Sequence, residues 1–301
     1  MRLASRKTAE INTIWNPQYK RPYQSRPLHP SEIPSVMNRL TKLVAAVGLC
    51  ASVSAWAQDK PSSPAAGAIQ AVSKLGGTDA SGLKKYADPA RFEKSILAFE
   101  AKDKTAGTPP PGGVVCIGSS SMVGWHPTIV KDLAPLPVIP RGFGGSNMND
   151  AAHYAERVVV RYRPKAVVLY EGDNDIGAGM TPAQVHDSFQ RFCATVHKSL
   201  PDTRIYVLSI KPSIKRWSLW PKAVEANKLI QATCAADAKR LTFVPIWEGM
   251  LTADGKPRED IYKTDKLHMN PKGYEIWTKA VRAAVVAKET MVAEKTDGAA
   301  Q

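Results

Sequence analysis

Apolar residues recur along the chain in five short, nearly unbroken runs, at 114–117, 138–139, 166–170, 205–210 and 242–246. Each is too short for a helix and rich in β-branched residues, the pattern of strands buried on both faces. Between the runs the pattern lengthens into amphipathic stretches near 122–132, 148–160, 182–199 and 221–239, with a last one near 271–287. A further stretch at 90–103 sets Phe92, Ile96 and Phe99 on one helical face. The start of the 182–199 helix is well marked: Thr181 can cap it, Pro182 suits its first turn, and Gln184 completes a capping box. Asn270-Pro271 opens the final helix by the same logic. Strands alternating with helices predict an α/β fold, a three-layer α/β/α sandwich around a five-stranded parallel sheet. No repeat is evident and no second domain is needed. In such sheets chemistry collects in the loops beyond the carboxyl ends of the strands.

Composition changes the picture mainly at the ends. The 301 residues are 44% apolar and 23% charged, enough for a sizeable core, but the net charge of +14 first suggests a nucleic acid or an anionic surface as partner. Residues 38–57 explain part of it. Arg39 and Lys42 precede an apolar run from Leu43 to Val53, and Ala55-Trp56-Ala57 is a small-x-small cleavage site. That is the layout of a secretory signal peptide cut before Gln58, with translation starting at Met37 and residues 1–36 an upstream start-site error. The run of eleven residues would make a helix of about 16 Å, too short for a hydrocarbon core of about 30 Å, so no stable membrane anchor is expected. Leu49 ahead of Cys50 also argues against a lipoprotein signal. The expected location is periplasmic or secreted.

Residues 1–57 carry 8 basic and 2 acidic residues, so the remainder has an excess of +8, with no block of like charge. A solvated surface, rather than nucleic acid binding, follows. Residues 58–81 are rich in Ala, Gly, Ser and Pro and read as a flexible leader, 82–290 as the folded domain, and 291–301 as a disordered tail. Three cysteines follow the signal segment; Cys193 and Cys234 fall on neighbouring predicted helices and can pair, whereas Cys116 sits in a strand and packs. Neither their number nor their spacing suggests a metal site.

Four strand-end loops carry reactive residues. The first run ends in Gly118-Ser119-Ser120-Ser121, which presents a serine on a tight strand-to-helix turn or is an ordinary Gly/Ser turn. The second leads into Arg141-Gly142-Phe143-Gly144-Gly145-Ser146-Asn147, whose glycines permit close approach of a ligand. The third ends in Glu171-Gly172-Asp173-Asn174-Asp175, a turn, an oxyanion-donating amide, or three carboxylates for a cation. The loop before the last helix holds Asp265-Lys266-Leu267-His268, a spacing that can bring the carboxylate to the imidazole. His126, His153, His186 and His197 read as surface or boundary residues.

Together, in this order and with this strand spacing, the four loops resemble the blocks of the SGNH/GDSL hydrolase family over roughly residues 113–287. Gly118-Ser119-Ser120 is similar to the first block, Gly145 to the glycine of the second, Gly172-Asp173-Asn174-Asp175 to the Gly-x-Asn-Asp of the third, and Asp265-x-x-His268 to the last. The first block departs from the usual Gly-Asp-Ser in having Ser119 for Asp, and Ser121 stands beside Ser120, so the choice of nucleophile rests on the block. The Gly-x-Ser-x-Gly elbow of ordinary α/β-hydrolases is absent, since Met122 takes its last position.

The resemblance implies the flavodoxin-like SGNH hydrolase fold and two-step ester hydrolysis. Ser120 would be the nucleophile, His268 its base and Asp265 the residue orienting His268. The backbone N–H groups of Ser120 and Gly145 and the Asn174 side chain would form the oxyanion hole, with no metal or organic cofactor. Substrates implied are small-molecule or glycan esters, short acyl groups, acetylated sugars or lipids. Small acyl groups are favoured because no long apolar lid is visible. In the segment 211–221, Lys215, Arg216, Trp217 and Trp220 can shape a substrate pocket, Trp217 and Trp220 by stacking or packing; equally, the tryptophans can be buried anchors. Two other functions fit the same blocks: an O-acetyltransferase acting on a cell-envelope glycan, and a non-catalytic glycan-binding protein.

Overall fold

The structure, a computed structural model, describes Thr78 and residues 82–290. The upstream segment, the signal peptide, the tail and, Thr78 apart, the leader lie outside the described residues. Five strands, β1 (Val114–Gly118), β2 (Val138–Gly142), β3 (Ala166–Tyr170), β4 (Arg204–Leu208) and β5 (Leu241–Val244), form one parallel sheet in the order β2-β1-β3-β4-β5. This is the flavodoxin-like order, whose topological switch point lies between β1 and β3. The helices are α1 (Glu93–Ala106), α2 (Ser120–Trp125), α3 (Ile129–Asp132), α4 (Met148–Val158), α5 (Asp173–Gly177), α6 (Pro182–Ser199), α7 (Trp220–Ala236) and α8 (Pro271–Val281).

Because successive strand side chains point to opposite faces, each apolar run supplies two cores. Val115, Ile117, Val167, Leu169, Ile205 and Val207 pack under α4, α6 and α7. Val114, Cys116, Ala166, Val168, Tyr206 and Leu208 pack under α2, α3 and α8. Fully burying one such aliphatic side chain contributes about 1.5–3 kcal/mol, which is why the central strands tolerate no polar interruption. α1 is fastened to the β2 edge differently: Arg141 ion-pairs with Asp103 at 2.6 Å and donates from Nε to the Tyr162 hydroxyl at 2.9 Å, all three buried.

Four boundaries differ from the sequence reading. β2 runs on through Pro140, Arg141 and Gly142, because it is an edge strand, where a missing N–H breaks no ladder. The helix expected at 122–132 is two short ones, α2 and α3, interrupted at His126-Pro127. Residues 173–177, expected as a turn, close into the single-turn helix α5. β4 and β5 each end two residues sooner than the apolar runs do. Cys193 and Cys234 are both buried free thiols in the seam of α6 and α7, so the pairing that their helices permit is not formed. Burial pushes the Cys234 thiol up to about 12.

Candidate active site

Strand register sets the site. Gly118 ends β1 opposite Gly142 of β2 and Tyr170 of β3, so the three loops that follow leave the sheet side by side. Gly118 is required by this closeness: a Cβ there would lie 2.4 Å from the Tyr170 carbonyl oxygen. Its successor Ser119 stands at the N-cap position of α2, and Ser120 is the first residue of that helix. A first-turn N–H has no partner within its own helix, so the Ser120 N–H points out of the helix end as an available donor. Ser119 and Ser121 are buried, whereas Ser120 is half-exposed.

The last loop brings an imidazole to Ser120. His268 Nε2 lies 2.9 Å from Ser120 Oγ, and its Nδ1 lies 2.6 Å from Asp265 Oδ2. Asp265 Oδ1 accepts from the backbone N–H groups of Leu267 and His268, both at 2.9 Å. The imidazole bond, then these two amides, hold the Asp265 carboxyl far below the usual carboxylate range. An ionised Asp265 accepts the Nδ1 proton, which leaves Nε2 as an acceptor for the serine hydroxyl. The loop keeps its shape through a left-handed Lys266 and through Lys263, whose N–H donates to the His268 carbonyl at 2.8 Å. Asp265 and His268 stand at the rim, with side chains 41% and 34% exposed.

The second loop crosses close to Ser120. A Cβ on Gly144 would sit 3.9 Å from that of Ser120, and Gly145 has φ +88°, a conformation that favours glycine. Ser146 is tied to the third loop twice: its Oγ donates to Glu171 Oε1 at 2.5 Å, and its carbonyl accepts from Asn174 Nδ2 at 2.9 Å. Asn147 then caps α4 in a capping box with Asp150.

The three carboxylates of the third loop turn to three different partners rather than to one point. Glu171 is buried against Ser146, and burial raises its pKa well above the ordinary value. Asp173 would also be raised by burial, but the charges of Lys211 and Arg216 more than offset this and hold it low. Asp175 accepts the Met148 N–H on both oxygens at 3.1 Å and the Tyr86 hydroxyl at 2.8 Å. Burial raises Asp175 from 3.8 to about 6.

That shift carries a pH dependence. Between 3.8 and about 6 the folded chain holds the Asp175 proton that the unfolded chain releases, so this group's contribution to stability falls as pH rises through that window. The difference is worth up to about 3 kcal/mol. In Asp175→Asn, unfolding measured at pH 4 and pH 7 should show the variant gaining on the parent at the higher pH. A variant that loses ground there would mean the carboxyl is not held protonated.

In the segment 211–221 the two tryptophans pack differently. Trp220 is 7% exposed, stacked on Trp217 (6.0 Å between rings) and tilted against Trp247, so it anchors the segment from below. Trp217 is half-buried and keeps an open face. Trp220 also walls a narrow cleft with Ile176, Ile210, Leu219 and Ala223, next to Asp173 and Arg216. An open hollow lies at the opposite end of the sheet, where β3 and β4 begin, away from these loops. Sequence reasoning missed the bonds that lock the loops together: Ser146 to Glu171, Asp175 to Met148 and Tyr86, and Arg216 to Asn174. All join residues more than twenty positions apart, and no local pattern marks them.

Comparison with known proteins places the chain in a family. The model of the GDSL-like lipase/acylhydrolase family matches residues 105–276, more than half of the chain. A solved structure described as an acylhydrolase, from Bacteroides fragilis, superimposes with a TM-score of 0.56 at 17% identity, covering 64% of this chain and 98% of that one. A GDSL-like lipase from Bacteroides thetaiotaomicron gives 0.52 at 19% identity, covering 68% and 99%. Both likenesses are of fold. A comparison with curated proteins found no match.

Proposed function

Because the chain belongs to the GDSL-like lipase/acylhydrolase family, a family of ester hydrolases, we propose that it is a serine esterase working through Ser120, His268 and Asp265. The observation that carries this reading is the continuous hydrogen-bonded line from Ser120 Oγ through the imidazole to Asp265, at 2.9 and 2.6 Å. In the first step Ser120 Oγ attacks the ester carbonyl carbon while Nε2 of His268 takes its proton. The imidazolium so formed is stabilised by Asp265, which stays ionised. The former carbonyl oxygen gains a negative charge, met by the N–H groups of Ser120 and Gly145 and by the Nδ2–H of Asn174. One such donor is worth about 2.7–4 kcal/mol of transition-state stabilisation. His268 returns its proton to the leaving alcohol as the C–O bond breaks. Water, activated by the same imidazole, then attacks the acyl-enzyme and releases the acid and Ser120.

Short acyl groups are the proposed substrates, since the sequence carries no long apolar lid segment. The reading also includes export, on the strength of the signal-peptide pattern at 38–57. Among the described residues no helix is long and apolar enough to cross a membrane.

A fluorophosphonate probe tests the chemistry and the location together. In cells producing the chain, the exported fraction should contain a labelled protein that begins near Gln58 and carries the label on Ser120. An unlabelled exported protein would refute the nucleophile alone, and a labelled cytoplasmic one the export alone.

A further inference from the structure

We propose that Arg216 is a positioning residue of the oxyanion hole, its guanidinium fixing which end of the Asn174 amide faces the reacting carbonyl. The inference rests on the esterase reading above. A primary amide has two ends of nearly equal shape and opposite polarity. Its N–H₂ stabilises a developing oxyanion, whereas its oxygen repels one. Something must therefore choose between two orientations half a turn apart.

The choice is made by two neighbours of opposite character. Asn174 Nδ2 donates to the Ser146 carbonyl at 2.9 Å, and Asn174 Oδ1 accepts from Arg216 Nη2 at 3.0 Å. Reversing the amide would set its oxygen against the Ser146 carbonyl and its N–H₂ against a guanidinium, which offers no acceptor. Both bonds would be lost and replaced by like-to-like contacts. In the observed orientation one N–H of Asn174 is used by Ser146 and the other remains for the substrate. The positive charge on Oδ1 also polarises the amide and strengthens that remaining donor.

Arg216 is itself held firmly enough to act this way. It donates from Nη1 to the Asp173 carbonyl at 3.0 Å and ion-pairs with Asp173 Oδ1 at 2.7 Å, while the buried Lys211 occupies Asp173 Oδ2 at 2.9 Å. Its backbone N–H donates to Ser213 Oγ at 3.3 Å. The guanidinium lies flat on Gly177, where a Cβ would come within 2.8 Å of its Cζ and Nε. The adjacent Lys215 N–H donates to the Lys266 carbonyl at 3.0 Å, so the same segment is also fastened to the loop of Asp265 and His268.

The test is a double-mutant cycle with p-nitrophenyl acetate, joined to a measurement that needs no turnover. Asn174→Ala should lower kcat about 10²- to 10³-fold, and Arg216→Ala about 10- to 10²-fold with KM unchanged. The double variant should be no slower than Asn174→Ala alone. Guanidinium ion should restore part of the rate to Arg216→Ala and nothing to the double variant. Arg216→Lys, which keeps the charge but not the fork, should stay slow. Gly177→Ala, which displaces the guanidinium and leaves both partners intact, should also lower kcat, and it serves where Arg216→Ala fails to fold. Additive losses, a rise in KM with kcat kept, or a fully active Gly177→Ala would each overturn the assignment. The Asn174 side-chain amide signal, identified by its absence from Asn174→Ala, should exchange with water faster in Arg216→Ala. An unmoved signal would also overturn it. If the parent protein cleaves no ester while that signal does move, the esterase reading fails and the positioning role stands.

Discussion

Ser120→Ala should lose at least about 10⁴-fold in kcat on any ester the parent cleaves, with its thermal unfolding unchanged to within the effect of about 0.5 kcal/mol. Both halves follow from position. In the proposed mechanism the hydroxyl is the atom that forms the acyl bond, so no partial route through the same mechanism survives its removal. Structurally it is nearly idle: Ser119, not Ser120, occupies the cap of α2, and Ser120 is only half-buried. Its Oγ bonds the imidazole of His268, a rim residue that water can satisfy in its place. Retained hydrolysis could not be reassigned to Ser119 or Ser121, whose side chains are buried at 2% and 3% exposure. It would place the chemistry elsewhere in the molecule. A large fall in unfolding temperature would instead show that Ser120 holds the turn together.

Asp265→Asn should lower kcat about 10³- to 10⁴-fold, and should be at least as damaging as Asp265→Ala. An ordinary carboxylate-to-amide change leaves the new residue free to turn its oxygen toward the imidazole. Here that freedom is absent, because the backbone N–H groups of Leu267 and His268 both claim Oδ1. The single oxygen of asparagine satisfies those two donors, and its N–H₂ is forced to face Nδ1. The imidazole must then carry its proton on Nε2, where it donates to Ser120 instead of accepting from it. Alanine removes the anion but imposes no tautomer. Steady-state rates for both variants, with KM, decide the matter; an asparagine variant within tenfold of the parent would mean that the imidazole is oriented by something other than Asp265.

The sheet was legible in the sequence wherever burial on both faces left no room for polar residues. β1 and β3 sit at the centre and are apolar at nearly every position. α6 was equally plain, since its capping box is a local arrangement among Thr181, Pro182 and Gln184. The edge strand β2 was harder, because Pro140 argues against a strand unless its place at the edge is already known. Helix α5 was hidden for a related reason. Gly172-Asp173-Asn174-Asp175 has turn chemistry, and the helix forms because Ala178 and Met180 bond back to Asn174 and Asp175.

The placement of the candidate site followed from topology, since loops beyond parallel strands must gather at one end of the sheet. What holds those loops in register did not. The Ser146–Glu171 and Arg216–Asn174 bonds span 25 and 42 residues and depend on a packing that no periodicity encodes. Trp217 and Trp220 have the same composition signal three positions apart, yet one keeps an open face and the other is a foundation.

The bond between Ser120 and His268 joins residues 148 positions apart, the first entering with β1 and the second only after β5 is complete. During synthesis from the N-terminus, every strand of the sheet exists before the imidazole does. On the proposed mechanism, a nascent chain, or any fragment ending before residue 265, carries Ser120 without its base, however well its sheet has formed. Reactivity of that kind would arrive all at once, with the closing turn of the polypeptide.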